Sequence, residues 1–325
     1  MRTIVTGGAG FIGSHLIEAL VARGDDVTCL ERRGASPAWL NDAAIEWLPV
    51  GLDDPAVLER AFRGVDVVYH LAALTQARTS ADYYSVNTEG TARVFEAAAA
   101  AETPPRVVYI SSLAAIGPCR NGDLLSRDTV PYPISHYGMS KLLAESVVHN
   151  HADRVPTVVL RLAAVYGPRE RAVLKMFQLV RRGLALTVGG WDREVSLIYV
   201  KDVVGTLMAA ADSERTVGRT YQLAYPEPVR WADFAREISR VVGRDAILVS
   251  IPKPLAWSIA CASEACAAAR RVAAILNRER VREMSQQRWV CDPSQAFADT
   301  GFSPEYPIGR GVPETAAWYK EVGWL

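Results

Sequence analysis

Cysteine is scarce in this chain: five in 325 residues, at 29, 119, 261, 266 and 291, with no CxxC pair and no histidine cluster beside them. That excludes a disulfide framework and argues against zinc, so free thiols, no metal and a reducing, cytoplasmic setting are expected. Charge imbalance is absent as well. Thirty-six Lys and Arg meet thirty-six Asp and Glu, which leaves no global basic footprint for nucleic acid. Long apolar runs are missing. The longest weakly charged one, residues 254–269, contains Glu264 and is shorter than the ~20 residues of a membrane span. No leader is expected, because a strand-like run begins at Thr3. What is present is a globular composition, 50% hydrophobic and 22% charged, which excludes disorder.

The first half alternates short β-branched runs with helical patterns. Strands are predicted at 3–5, 27–31, 65–71, 107–110 and 157–162, and helices at 11–23, 55–62, 85–101 and 136–149. Apolar, non-alternating strands between helices indicate a parallel sheet covered on both faces, a doubly wound α/β domain of Rossmann type. After Tyr166 the pattern loosens. A strand at 196–200, a helix at 202–211 and a strand at 221–224 are expected to return to the sheet domain. Helices at 231–242, 255–271 and 272–284 are expected to build a smaller, mostly helical lobe. The expected division is a dinucleotide-binding domain of residues 1–166 with 196–224, and a substrate lobe of 167–195 with 225–325. A ligand cleft is expected between them.

Two groups of residues carry chemistry. Thr6-Gly7-Gly8-Ala9-Gly10-Phe11-Ile12-Gly13 lies between the first strand and the first helix. Glycines there allow a tight turn and close approach of backbone to a pyrophosphate, which the helix start then stabilises. Gly7, Gly10, Phe11, Ile12 and Gly13 are therefore candidate cofactor residues. Glu31, at the end of the second strand, suits the two hydroxyls of an adenine ribose and favours NAD. Arg32 and Arg33 follow at once and suit the phosphate of NADP instead. The second group is Tyr137 and Lys141, four apart and so on one helix face. An ammonium beside a phenol is expected to lower its pKa, making it an acid or base near neutrality. Ser112, after the strand at 107–110, can donate to a substrate oxygen.

With these residues in this order the chain resembles an extended short-chain dehydrogenase/reductase of the NAD-dependent epimerase/dehydratase superfamily. The resemblance implies a catalytic triad of Ser112, Tyr137 and Lys141, with Lys141 supporting Tyr137 and the nicotinamide ribose. It implies that Leu71, Ala72 and Ala73 line the cofactor, that Tyr137, Lys141 and Ala164 lie along it, and that Asn87 is structural. Val50-Gly51-Leu52 stands where the family commonly has Gly-Asp-Leu with the Asp reaching adenine; that carboxylate is missing, leaving the Leu52 backbone or Asp53 for the contact. Leu113-Ala114 stand where sugar dehydratases carry an acidic pair. Ala164 stands where many nucleotide-sugar enzymes carry asparagine.

Residues 251–284 and the C-terminal region are most similar in pattern to 3β-hydroxysteroid and 4α-carboxysterol 3-dehydrogenases. The expected reaction is hydride transfer between nicotinamide and the 3-hydroxyl of a sterol, steroid or other polycyclic lipid, with decarboxylation where a 4-carboxyl is present. A nucleotide-sugar epimerase or reductase is the alternative. A non-catalytic dinucleotide-binding regulator is a third reading, opposed by the intact Ser112, Tyr137 and Lys141. Expected partners are a lipid-like small molecule and a second copy through residues 85–101 and 136–148; residues 255–269 and the arginines after them read either as a packed lobe helix beside solvated arginines or as a peripheral contact with a membrane surface.

Overall fold

In the computed structural model, which describes residues 1–35, 38–40, 44–120, 122–274 and 276–325, the chain builds one large parallel sheet first. It runs β1 (Arg2–Thr6), α1 (Phe11–Arg23), β2 (Asp26–Leu30), β3 (Glu46–Leu48), α2 (Pro55–Ala61) and β4 (Val67–His70). Then come α3 (Ser80–Tyr83), a π-helical turn (Tyr84–Glu89), α4 (Gly90–Ala100), β5 (Arg106–Ser112), α5 (His136–Asn150) and β6 (Thr157–Leu162). The second half contains β7 (Ala164–Tyr166), α6 (Arg171–Arg181), β8 (Leu184–Val188), β9 (Glu194–Val195), β10 (Leu197–Tyr199), α7 (Val200–Asp212) and β11 (Arg219–Leu223). It ends with β12 (Val229–Arg230), α8 (Trp231–Val242), β13 (Ile247–Ile251), α9 (Lys253–Arg270), α10 (Arg278–Met284), β14 (Arg288–Trp289), α11 (Ser294–Thr300) and α12 (Ile308–Glu321).

Seven strands pair in parallel in the order β11-β6-β5-β4-β1-β2-β3. Every residue of β4 and of β6 is buried, as the apolar runs require. Neighbouring residues of one strand feed opposite layers. Val5, Val108 and Leu160 pack with Leu16, Leu20, Val203 and Leu207 of α1 and α7. Ile4, Val107 and Val159 pack with Leu58, Phe95, Ala144 and Val148 on the α2, α4 and α5 side. Helices on both faces leave the chain reversal between β1 and β4 as the switch point, where ligands of such sheets bind.

A third core joins α6, α8 and α12 around Phe177, Phe234, Ile238, Val312 and Tyr319. The structure departs from expectation in three places. The strand expected at 196–200 is β10, which pairs with β7 in a separate two-stranded sheet. The helix expected at 272–284 covers only Arg278–Met284, begun by the Asn277 side chain accepting from the Arg280 N–H, and Ile275 lies outside the described residues. The helix expected at 85–101 starts at Ser80 and passes through the π turn. All five cysteines are free thiols.

Candidate active site

The glycine loop is held by contacts that no side chain could replace. Gly7 has φ +74°, and a Cβ there would lie 2.8 Å from the Ala72 backbone. A Cβ on Gly13 would overlap the Gly7 carbonyl oxygen and come within 2.7 Å of Gly8 Cα. The loop is thus folded on itself and pressed against the end of β4 and the Leu71–Ala72–Ala73 segment that follows. Helix α1 then starts at Phe11 with no side-chain cap and no acidic residue in its first turn. Among the described residues, the N–H groups of Phe11, Ile12 and Gly13 have no backbone acceptor. Unpaired donors at the positive end of a 13-residue helix form an anion-binding cradle, and they fit a dinucleotide pyrophosphate.

Glu31 follows β2 and lies across that loop. Its Oε2 accepts from the Ala9 N–H at 3.2 Å and its Oε1 from the Arg32 N–H at 3.2 Å. Arg32 and Arg33 are exposed. Leu52 turns its side chain toward Gly90 at the start of α4, and the Asp53 carboxylate folds back over Gly51. The Leu52 side chain therefore belongs to the packing beneath the loop.

A buried hydrogen-bond chain ties the two sides of the switch point together. Thr91 Oγ1 donates to the Asn87 carbonyl at 2.6 Å and so accepts from His70 Nε2 at 3.0 Å. This leaves His70 Nδ1 to accept from Thr6 Oγ1 at 2.7 Å, while Thr6 Oγ1 accepts from the Ala72 N–H at 3.2 Å. The π turn widens the helix so that Asn87 faces inward. Its amide bridges the Leu74 N–H (2.7 Å), the Leu74 carbonyl (3.0 Å) and Ser140 Oγ (2.9 Å).

Burial, with a smaller contribution from the Lys141 charge, holds His70 down at about 3. Unfolded histidine titrates near 6.5, so the unfolded chain binds more protons between these values and stability falls as pH drops through that window. We expect a loss of roughly 2 kcal/mol from this residue on going from about pH 7.5 to about pH 5. Urea midpoints should fall more steeply with acid for the wild type than for His70→Gln; equal slopes would contradict it.

The three catalytic candidates come together at the ends of β5 and α5. Ser112 ends β5, and its Oγ accepts from the Ala114 N–H at 3.1 Å. Ser135 caps α5 by accepting from the Gly138 N–H at 3.0 Å, which sets Tyr137 in the first turn. The Tyr137 phenol lies near enough to Ser112 for that side chain to favour its ionised form. Its ring centroid lies 6.0 Å from that of Tyr83.

One expectation is overturned. The phenol is not lowered toward neutrality; burial pushes it up to about 12, against the opposing influence of Ser112. Lys141 does not aim at it. The Lys141 Nζ donates to the Ile110 carbonyl at 2.5 Å and lies 4.4 Å from the centre of the Tyr109 ring. Burial pulls Lys141 down to about 7, partly offset by Glu145.

Two groups that sequence reasoning missed support this centre. Glu145 is 2% exposed and accepts from Arg161 Nε (2.9 Å) and Nη2 (2.7 Å) and from Ser111 Oγ. This fastens α5 to β5 and β6 one residue from Ser112; the i, i+4 spacing of Lys141 and Glu145 was the available signal. From the C-terminal half, α10 reaches the start of α5. Glu279 Oε1 accepts from the His136 N–H at 3.0 Å, Glu283 Oε1 from Ser135 Oγ at 2.6 Å, and the Ile134 carbonyl accepts from Arg282 at 3.2 Å. No local pattern announces a pairing across some 145 residues.

Ala164, on β7, is exposed. Beside it in sequence, Tyr166 lines a cavity of about 400 Å³ with Leu197, Tyr225, Val229 and Tyr306. Neither Ser112 nor Tyr137 lines that cavity.

A doubly wound sheet with an uncapped glycine loop at its switch point, and serine, tyrosine and lysine gathered beside it, defines a dinucleotide-dependent oxidoreductase. The model of the NAD dependent epimerase/dehydratase family matches residues 3–224. The chain belongs to that family of enzymes, and its cofactor is NAD. It is 29% identical over 328 residues to a ceramide reductase of Caulobacter vibrioides, covering 99% of this chain and 95% of that one. It is 24% identical to the 3beta-hydroxysteroid-dehydrogenase/decarboxylase isoform 1 of Arabidopsis thaliana, covering 96% and 78%. Among solved structures it resembles the UDP-glucose 4-epimerase of Thermotoga maritima, with a TM-score of 0.82, 21% identity and 99% of both chains covered, a likeness of fold. Among the described residues, no helix is long and apolar enough to cross a membrane.

Proposed function

We propose that this enzyme interconverts a secondary alcohol and a ketone on a large apolar lipid of sterol, steroid or ceramide type. The side chains of Ser112 and Tyr137, close enough for Ser112 to oppose the rise of the phenol's pKa, carry the reaction type: two hydroxyls converge where one substrate oxygen fits. The residues after Ser112 are Leu113 and Ala114, which move no protons, so elimination of water is disfavoured. Ala164 offers no amide to a sugar-nucleotide diphosphate. The names of two relatives, a ceramide reductase and a 3beta-hydroxysteroid-dehydrogenase/decarboxylase, support a lipid.

In this reading residues 1–166 with 196–224 hold the cofactor, and 167–195 with 225–325 form the substrate lobe. NAD, when bound, supplies or takes the hydride. The N–H groups of Phe11, Ile12 and Gly13 hold its pyrophosphate, Glu31 its adenine ribose, and Leu71, Ala72 and Ala73 line its path. Ser112 orients the substrate oxygen. Tyr137 gives that oxygen a proton in reduction and takes one in oxidation. Held near 12, its phenol is protonated at neutral pH and is ready as the acid for ketone reduction. Lys141, held near 7, exchanges protons with little cost behind it.

Glu31 should make NAD preferred over NADP, because its carboxylate repels a 2′-phosphate. Replacing Glu31 by serine is expected to shift the ratio of catalytic efficiencies toward NADP by at least about tenfold, with Arg32 and Arg33 now facing the phosphate. An unchanged ratio would place the discrimination elsewhere.

The test of the function is a screen of cofactor reduction or oxidation. It sets hydroxy- and keto-steroids, sterols and ceramide-type lipids against UDP- and dTDP-sugars. Turnover is expected with a lipid and not with the sugars. Micromolar binding of a sugar nucleotide in the presence of NAD, with turnover of it, would sink the lipid reading.

A further inference from the structure

Helix α9 has an outer face unlike that of an ordinary surface helix. Of its 18 residues only Ala256, Ala260 and Ala267 are buried, one narrow stripe, and the first two pack near Val188 and Val281. Leu255 (54%), Trp257 (39%) and Ile259 (44%) are exposed, and so are Cys261, Ala262, Ala265, Cys266, Ala268 and Ala269. Between Lys253 and Arg270 the single charged residue is Glu264. Its carboxylate is satisfied by the Arg278 N–H at 2.8 Å and Nε at 2.7 Å. Surface helices normally carry charge on the face away from the core. This one presents about 24 Å of uncharged surface, with exposed Lys253 at one end and exposed Arg270 and Arg271 at the other. Val272, just beyond, is 53% exposed.

We propose that the outer face of α9 docks into the interface of an anionic lipid bilayer, lying in its plane. The charge pattern selects this occupant. Apolar side chains enter the boundary of the acyl chains while cations at both ends meet anionic head groups. A second copy is disfavoured by the same pattern, because two α9 helices paired antiparallel about a two-fold would set Lys253 against Arg270 and Arg271, like charge against like. Docking there would place α10, packed beneath α9, between the bilayer and the start of α5, which α10 holds through Glu279, Glu283 and Arg282. A route for substrate from bilayer to Tyr137 rests on the lipid reading above. The docking itself does not.

The experiment is co-sedimentation of the full chain with phosphatidylglycerol and phosphatidylcholine vesicles, at low and high salt, with no substrate present. Turnover does not enter the readout, so failure here leaves the proposed reaction standing, and the reverse. Binding is expected to the anionic vesicles at low salt and to weaken as salt rises. Combined Leu255→Ser, Trp257→Ser and Ile259→Ser should weaken it at least about tenfold, since these side chains supply the buried apolar area. Combined Lys253→Glu and Arg270→Glu should weaken it by at least about fivefold per residue, a second variant that leaves the apolar face intact. Both variants should titrate NAD as the wild type does. No binding to anionic vesicles at low salt overturns the proposal. So does binding that neither variant alters. Dissociation of a dimer by the triple variant in sedimentation velocity, without vesicle binding by the wild type, would assign the face to a second copy instead.

Discussion

Tyr137→Phe is expected to lower turnover by roughly 10²–10⁴-fold, the usual weight of a positioned acid–base group, while NAD still binds. The substitution removes one oxygen and leaves the ring, so its contact with Tyr83 survives. Ser112 then holds the substrate oxygen alone, with no proton to follow it. The NAD contacts assigned to the glycine loop lie at the end of β1 and are not touched by the change. Steady-state rates with a turned-over lipid, beside a calorimetric NAD titration of the same variant, check both halves. Near-normal turnover would remove Tyr137 from the chemistry. Loss of NAD binding with it would mean that the phenol acts through the cofactor site.

The parallel sheet was legible because burial on both faces removes the alternation of polar residues, and β4 and β6 are indeed buried throughout. The glycine loop was legible because close backbone approach leaves room for glycine alone at Gly7 and Gly13. That Tyr137 and Lys141 share one helix was legible from their spacing, but their electrostatics were not. Spacing of i, i+4 puts Lys141 on the same face as Tyr137, yet rotamer choice sends its Nζ to Ile110. Burial then decides both pKa values, and burial is a property of the packed fold.

Other features escaped for the same reason. The π turn at Tyr84–Glu89 has no propensity signature, although Asn87 depends on it to reach Leu74 and Ser140. The pairing of β10 with β7 is set by tertiary packing, since three-residue strands carry too little pattern to choose a partner. The clamp of α10 on α5 joins residues far apart in sequence, and Glu279 and Glu283 read locally as a solvated helix face. The apolar character of α9 was legible. The choice between an exposed and a packed face was not, because an alanine-rich helix suits a core equally well.

Gly13→Ala is expected to abolish measurable NAD binding, a loss of at least about a hundredfold in affinity. Gly13 is not among the residues with positive φ, so backbone strain is not the reason. The added methyl would overlap the Gly7 carbonyl oxygen and crowd Gly8 Cα, and both obstacles are backbone. Neither side chain nor rotamer can yield; the loop itself must move. Its other side cannot give way either, because Gly7 is already against Ala72 and the Ala72 N–H is held by Thr6 Oγ1. Movement in the remaining direction carries the loop off the start of α1 and misaligns the N–H groups of Phe11, Ile12 and Gly13, the donors assigned to the pyrophosphate. Gly10→Ala offers a contrast within the same loop. A Cβ there meets only the Gly7 carbonyl oxygen, at 3.2 Å, so a shift of a few tenths of an ångström suffices and the loss of affinity should be smaller. Calorimetric titration of NAD into both variants, with far-ultraviolet circular dichroism to confirm folding, checks the order. A folded Gly13→Ala protein with wild-type affinity would show that the pyrophosphate is not held by this loop.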